Sequence, residues 1–131
     1  FKERLAGGIR SMLSAEGPIY IHCLEGKDRT GFVCFLLEAL AGASYDEMRS
    51  DYMKTYANYY GITREDSPEQ YDAVVCLWFD AFAAYLHGTE DEATLPAAYY
   101  AQDAVNYLLD AGMTADEIAA LRDMITEASD A

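Results

Sequence analysis

The chain has 131 residues, 52% of them hydrophobic, which is enough apolar content for one domain with its own core. Its 23 acidic and 9 basic side chains give a formal net charge of −14 at pH 7. This charge argues against nucleic acid and against an anionic membrane as the chief partner, because both are negatively charged themselves.

The first third of the chain predicts a helix, a strand and a second helix. Apolar residues at helical spacing precede the Gly17-Pro18 pair, and they are Phe1, Leu5, Ile9, Met12 and Leu13. Residues 18–22 (PIYIH) form a short apolar run that is typical of a buried strand. Residues 30–40 (TGFVCFLLEAL) are apolar on nearly all sides, which predicts a helix enclosed in the core.

Cap and stop signals divide the rest of the chain into four further helices. One begins at a capping box over residues 44–47 and ends at Gly61. The next begins after Ser67 and stops near Gly88. The third runs from about residue 95 to Gly112, and a second capping box, Thr114 with Glu117, begins the last. The predicted buried stripe of the Ser67–Gly88 helix comprises Tyr71, Val74, Val75, Trp78, Phe82 and Tyr85.

The segment from His22 to Gly31 (HCLEGKDRTG) joins the predicted strand to the helix that follows it. At such a junction, free backbone N–H groups and the positive end of the helix dipole form an anion site. A thiol in this field commonly has its pKa lowered from about 8.5 to roughly 3.5–7.5. We therefore predict that Cys23 is a thiolate nucleophile that attacks phosphorus.

The residues around this cysteine suit a bound phosphate. Arg29 offers a planar fork of donors that can hold two phosphate oxygens, and Thr30 can donate its hydroxyl to the leaving sulfur. Gly26 and Gly31 allow tight turns and close backbone approach, and His22 is predicted to support the loop. The predicted phosphate-binding residues are Leu24, Glu25, Gly26, Lys27, Asp28, Arg29 and Thr30.

Cleavage of the ester also needs a general acid for the leaving oxygen. Upstream of the loop the only carboxylates are Glu3 and Glu16, so Asp28 is the preferred candidate. A carboxyl group buried beside a dianion is favoured in its protonated form. An acid on sequence preceding Phe1 stays the alternative. Lys27 adds a cation, either for the substrate or for a neighbouring carboxylate.

The loop resembles the Cys-x5-Arg-Ser/Thr signature of protein tyrosine phosphatases. Its fuller form, HCxxGKDRTG, is similar to atypical bacterial tyrosine phosphatases that also act on phosphoinositides, and the close similarity covers about residues 18–42. The resemblance implies Cys23 as nucleophile and Arg29 as phosphate clamp. It also implies Asp28 as acid and Lys27 as a substrate-binding cation.

The resemblance implies a catalytic domain, whole or partial, over residues 1–131. The expected substrate is a phosphotyrosine protein, with a phosphoinositide as the alternative. Glu25 stands where relatives often have a small residue, and its charge argues against highly charged phosphoinositides. Two rivals remain, a phosphate-binding module without turnover and a helical interaction domain with a vestigial loop. An exposed thiolate is also open to oxidation, which would accompany the hydrolase activity.

The resemblance also implies an α/β phosphatase-type fold, in which most of the sheet precedes the signature. Here the signature follows only 22 residues, so we expect a mostly helical chain with about six helices and one core strand. Isolated strands are not stable. We therefore expect a C-terminal fragment, with a missing N-terminal segment of the same protein supplying the rest of the sheet.

The cysteine and histidine content bears on metals and compartment. Three widely spaced cysteines and two histidines do not form a zinc motif, so no metal and no cofactor are expected. The odd number of cysteines favours a reducing compartment, which predicts a cytoplasmic protein. A secretion signal on a missing N-terminal segment stays the alternative. The sequence contains no run long and apolar enough to predict a transmembrane segment.

Overall fold

A computed structural model describes residues 1–127, and within this range the chain is an assembly of helices. The α-helices are α1 (Lys2–Ser14), α2 (Arg29–Ala41), α3 (Tyr45–Tyr60), α4 (Pro68–Val74), α5 (Asp80–His87), α6 (Tyr100–Asp110) and α7 (Ala115–Glu127). A π-helical segment, Val75–Phe79, connects α4 to α5, and a 3-10 helix, Glu92–Ala97, precedes α6. None of the helices in residues 1–127 is long and apolar enough to span a membrane.

Helix α2 lies at the centre of the assembly and contacts α3, α6 and α7. Its side chains Phe35, Leu36, Ala39 and Leu40 are almost completely buried. Burying a side chain as large as phenylalanine or leucine contributes about 1.5–3 kcal/mol relative to leaving it exposed. The prediction of a core-enclosed helix directly after the loop is therefore confirmed, and this helix gives the loop a rigid base.

The expected α/β fold with one core strand is wrong. Residues 18–22 have no strand structure, and no strand occurs anywhere in residues 1–127. Ile19 and Tyr20 are exposed, Tyr20 to 86% of its surface. The physical reason is that an extended segment becomes a strand only when a neighbour satisfies its N–H and C=O groups. Within residues 1–127 no second strand pairs with this segment, and the other residues that line a cavity with it belong to α1 and α2.

Both predicted capping boxes are confirmed. The Ser44 hydroxyl accepts a hydrogen bond from the Glu47 N–H at 3.2 Å, and the Glu47 carboxylate accepts one from the Ser44 N–H at 3.1 Å. Thr114 and Glu117 make the same reciprocal pair at 3.1 and 2.9 Å. Each box satisfies two N–H groups that a helix start otherwise leaves free.

The predicted stripe of the Ser67–Gly88 helix is wrong at Trp78 and Tyr85, which are exposed, whereas Phe82 packs against the core as predicted. The π-helical segment is the reason for the difference. The predicted single helix is divided into α4, the π-helical segment and α5, which raises the number of α-helices from the expected six to seven. A π-turn contains more residues than an α-turn and shifts the helical register. Phe79 is consequently buried in place of Trp78, which is 47% exposed.

Candidate active site

The loop that follows His22 leads directly into the N-terminus of α2. Asp28 is the N-cap residue, and its carbonyl accepts a hydrogen bond from the Phe32 N–H at 2.9 Å. Its side chain makes no capping hydrogen bond. The first amides of α2 therefore remain available to an anion, and the helix dipole adds to their attraction.

Cys23 is partly exposed at the start of this loop, and its pKa is lowered from 9.0 to about 7. The Thr30 side chain is the largest cause, followed by the Thr30 backbone. Partial burial opposes the shift, whereas the backbone groups of Gly26 and Glu25 add to it. Hydrogen bonds to the charged form stabilise a thiolate. A substantial fraction of Cys23 is therefore ionised at neutral pH.

Within residues 1–127, the Thr30 hydroxyl interacts with the Cys23 sulfur. Its oxygen is buried and has no partner in regular hydrogen-bond geometry within residues 1–127. The group that it does interact with is the Cys23 sulfur, whose pKa it lowers. The hydrogen bond from this buried hydroxyl to the sulfur is strongest when the sulfur is anionic.

Lys27 lies inside a cluster of acidic and aromatic side chains. Its Nζ donates to both carboxylate oxygens of Asp28, at 3.2 and 3.3 Å, and lies 3.7 Å from Glu25 Oε2. The Tyr60 hydroxyl donates to the same Glu25 oxygen at 2.9 Å. The hydrogen bond to Asp28 raises the pKa of Lys27. Of the two predicted roles of Lys27, this structure shows the one in which it holds a neighbouring carboxylate.

Trp78 is a site neighbour that the sequence did not reveal. The Lys27 Nζ lies 5.6 Å from the centroid of the Trp78 ring, within the range of a cation–π interaction. The helical stripe placed Trp78 in the core, and only the π-helical segment turns it toward the loop. Tyr60, the last residue of α3, also faces the loop through the hydrogen bond that its hydroxyl donates to Glu25.

Arg29 lies apart from the Lys27 cluster. Its side chain is exposed and has no hydrogen bond or ion pair with any residue from 1 to 127. It lines a cavity of about 300 Å³ together with Asp28, Phe32 and Phe82. The structure thus brings Arg29 and Asp28 together on one wall, with the guanidinium free to bind an anion.

The remaining loop residues have structural positions that fit a turn around an anion. Gly26 has a positive φ of 74°, a conformation that side-chain-bearing residues rarely adopt. The Leu24 side chain is 92% exposed, so only its backbone faces the loop interior. The His22 ring stacks on the Tyr20 ring, with 5.6 Å between ring centroids, and both side chains are exposed.

A second group of titratable residues lies behind the loop, between α2 and α3. A small cavity there is lined by Gly26, Cys34, Glu38 and Asp51 among others. Burial, together with the hydrogen bond to Asp51, raises the pKa of Glu38 to about 9. The same hydrogen bond lowers the pKa of Asp51. Glu38 is therefore protonated at neutral pH, and its carboxyl group donates a hydrogen bond to the Asp51 carboxylate.

Comparison with known proteins decides the family. The family model described as "Tyrosine phosphatase family" matches residues 2–127. The chain belongs to the tyrosine phosphatase family. The family that the loop from His22 to Gly31 resembles is therefore confirmed.

Two curated bacterial proteins are similar to part of this tyrosine phosphatase family member. Triple specificity protein phosphatase PtpB of Mycobacterium tuberculosis is 36% identical over 53 residues, which is 40% of this chain and 19% of the relative. A candidate tyrosine-protein phosphatase of Cupriavidus necator is 34% identical over 55 residues, 42% of this chain and 20% of the relative. The match spans about a fifth of each relative. No solved structure matches the chain with significance.

Proposed function

We propose that this chain is a cysteine-dependent phosphatase that hydrolyses phosphotyrosine esters through a phospho-cysteine intermediate. The observation that carries the proposal is the Cys23 thiol, whose pKa of about 7 makes it a nucleophile at neutral pH. The thiol stands at the N-terminus of a core helix, where a phosphate finds free amides and a favourable dipole. One domain over residues 1–131 contains these groups.

In the first step, the Cys23 sulfur attacks phosphorus while the bond from phosphorus to the tyrosine oxygen breaks. The leaving phenolate takes a proton from the Asp28 carboxyl group. Arg29 and the backbone amides of the loop hold the equatorial oxygens, whose charge is spread over the transition state. The products of this step are the dephosphorylated tyrosine side chain and phospho-cysteine, and Asp28 is left as a carboxylate.

In the second step, a water molecule attacks the phospho-cysteine. The Asp28 carboxylate takes a proton from this water, and the bond from phosphorus to sulfur breaks. The leaving thiolate is stabilised by the Thr30 hydroxyl, the same group that lowers its pKa in the resting protein. Inorganic phosphate leaves, and Cys23 and Asp28 return to their starting protonation states.

Lys27 has to change partners during this cycle. In the structure its ammonium group holds the Asp28 carboxylate at 3.2 Å. The substrate phosphate carries more negative charge than a carboxylate and competes for the same cation, which releases the Asp28 side chain to reach the leaving oxygen. Glu25, at 3.7 Å from Lys27, already offsets part of its charge. This arrangement favours a singly phosphorylated substrate over a phosphoinositide that carries several phosphates.

Three matched variants test the mechanism with p-nitrophenyl phosphate. Cys23→Ser is expected to abolish turnover and to keep phosphate affinity, whereas Cys76→Ser, which removes an exposed cysteine of the π-helical segment, should retain full activity. Asp28→Asn should slow phenyl phosphate, a poor leaving group, more than p-nitrophenyl phosphate. Turnover by Cys23→Ser near the parent rate would refute the nucleophile. Phosphate binding without turnover by the parent protein would indicate a non-catalytic module.

A further inference from the structure

The cluster around Lys27 contains an indole face in addition to its carboxylates. The Lys27 Nζ lies 5.6 Å from the centroid of the Trp78 ring, 3.2 Å from Asp28 and 3.7 Å from Glu25. We infer that Trp78 is a positioning residue that holds the Lys27 ammonium group in a resting position, so that a bound phosphate has to compete with the indole ring for this cation. The inference rests on the proposed phosphate-binding function of the loop and adds a residue that sets the affinity of the loop.

The Lys27 ammonium group is surrounded by partners in this resting position. It has three N–H donors, and two carboxylate groups and one indole face lie around them. The side chain of Lys27 is only 17% exposed, although lysine is a residue type that is mostly exposed in folded proteins. Before Lys27 binds a phosphate, it therefore has to leave these partners.

The indole ring adds an attraction that the carboxylates alone do not provide. The negative face of an aromatic ring attracts a cation within about 6 Å, tryptophan does so most strongly, and the attraction increases as water is excluded. The Tyr60 hydroxyl donates a hydrogen bond to Glu25 at 2.9 Å, which orients that carboxylate within the cluster. Removal of the Trp78 ring leaves both ion pairs, so Lys27 should stay near them and become easier to displace.

The π-helical segment Val75–Phe79 is what brings Trp78 to the loop. Within this segment Phe79 is completely buried, whereas Trp78 is 47% exposed. An indole that is turned out of the core loses part of the free energy of burial. Short π-helical segments are rare and occur frequently at functional sites. The contact with Lys27 gives this exposed ring a function at the loop.

A phosphate bound at the loop and the contact between Lys27 and Trp78 oppose each other. The phosphate dianion carries more charge than a single carboxylate, and it draws the neighbouring ammonium group toward itself. The observed affinity of a ligand falls with the fraction of protein in the binding-competent state. Because Trp78 stabilises the resting position of Lys27, it lowers that fraction. Its removal should therefore strengthen phosphate binding, whereas loss of a merely structural residue would weaken it.

The first test is calorimetric titration of inorganic phosphate into the full chain carrying Cys23→Ser, which prevents turnover. With Trp78→Ala added, we expect phosphate to bind about two- to fivefold more tightly, the fold-change that corresponds to one partly exposed cation–π contact. Trp78→Phe keeps a ring of weaker attraction and should give a smaller gain. The matched control is Leu77→Ala, at a neighbouring position of the same segment that is 67% exposed, and it should leave the affinity unchanged.

The second test uses the fluorescence of Trp78, which is the only tryptophan of the chain. Saturating phosphate at constant ionic strength should change the indole emission of the Cys23→Ser chain, because the ammonium group leaves the ring. With Lys27→Met added, phosphate should no longer change the emission. This measurement keeps Trp78 in place, so it does not depend on how well a Trp78 variant folds.

Four outcomes overturn the inference. They are an unchanged or weaker phosphate affinity in Trp78→Ala, an emission that saturating phosphate does not alter, an emission change that persists in Lys27→Met, and absence of phosphate binding by the Cys23→Ser chain. Turnover of p-nitrophenyl phosphate by the parent protein is measured separately. Absent turnover with an intact phosphate-linked emission change refutes the phosphatase proposal and leaves the role of Trp78 standing.

Discussion

Removal of the Thr30 hydroxyl is the sharpest perturbation of the site, because among residues 1–127 this group acts on the Cys23 sulfur and has no other hydrogen-bond partner. Thr30→Val keeps the shape and the backbone N–H of residue 30 and removes only the oxygen. The side chain of Thr30 is the largest cause of the lowered Cys23 pKa. The backbone groups of Thr30, Gly26 and Glu25 remain in the variant and keep part of the shift.

The size of the expected effect follows from the lowered and the ordinary pKa of Cys23. With a pKa of about 7, about one half of Cys23 is thiolate at pH 7, and with the ordinary value of 9.0 the fraction is about one in a hundred. The side chain and the backbone share in lowering the Cys23 pKa. In Thr30→Val we therefore expect this pKa to rise to about 8, which lowers the thiolate fraction at pH 7 about fivefold. Turnover at pH 7 should fall at least as much, because the hydroxyl also stabilises the leaving sulfur.

The assay is the rate of alkylation by iodoacetamide as a function of pH, which follows the thiolate. Cys34→Ser and Cys76→Ser remove the other two thiols beforehand. Thr30→Ser is the matched control, because it retains the hydroxyl and should keep the alkylation midpoint near pH 7. If the Thr30→Val midpoint stays at the parent value, the hydroxyl does not set the pKa, and the reasoning about the sulfur environment is refuted.

Two further predictions concern the support behind the loop. Glu38 has a pKa of about 9 in the folded protein, against an ordinary value of 4.5. Between these two pH values the folded state holds a proton that the unfolded chain releases. The free energy of unfolding should therefore decline as the pH rises from about 4.5 to 9. Glu38→Gln should flatten this decline in urea unfolding series across that window, and an unchanged slope contradicts the assignment. Gly31→Ala places a Cβ 3.0 Å from the Tyr52 ring and should lower the free energy of unfolding by about 1–3 kcal/mol. Gly8→Ala, in open space on α1, should instead raise the free energy of unfolding by about 0.5–1 kcal/mol. Equal effects of the two substitutions would show that a Cβ at residue 31 does not crowd the Tyr52 ring.

The features that the sequence predicted well are those set by neighbours along the chain. A capping box depends on two residues three positions apart, and both boxes formed as expected at residues 44–47 and 114–117. The core helix after the loop followed from the density of apolar residues in α2. The family followed from ten consecutive residues of the loop.

The features that the sequence missed depend on distant contacts. The run at residues 18–22 has the composition of a strand, but pairing needs a neighbour that local pattern cannot supply. The cavity that Arg29 lines also includes residues of α5, more than fifty positions away along the chain. The orientation of Trp78 toward Lys27 depends on a π-turn, for which the helical spacing of apolar residues gave no signal.

The π-helical segment has a consequence for how this domain can vary among its relatives. One residue removed between Val75 and Phe79 would restore ordinary α-helical winding and rotate everything that follows by about a quarter turn or slightly more. Tyr85 would then leave the wall beside Arg29, and the indole of Trp78 would swing away from the ammonium group of Lys27. Aligned family members with a gap at this point should therefore present a different surface beside the signature loop, even where the loop itself is identical.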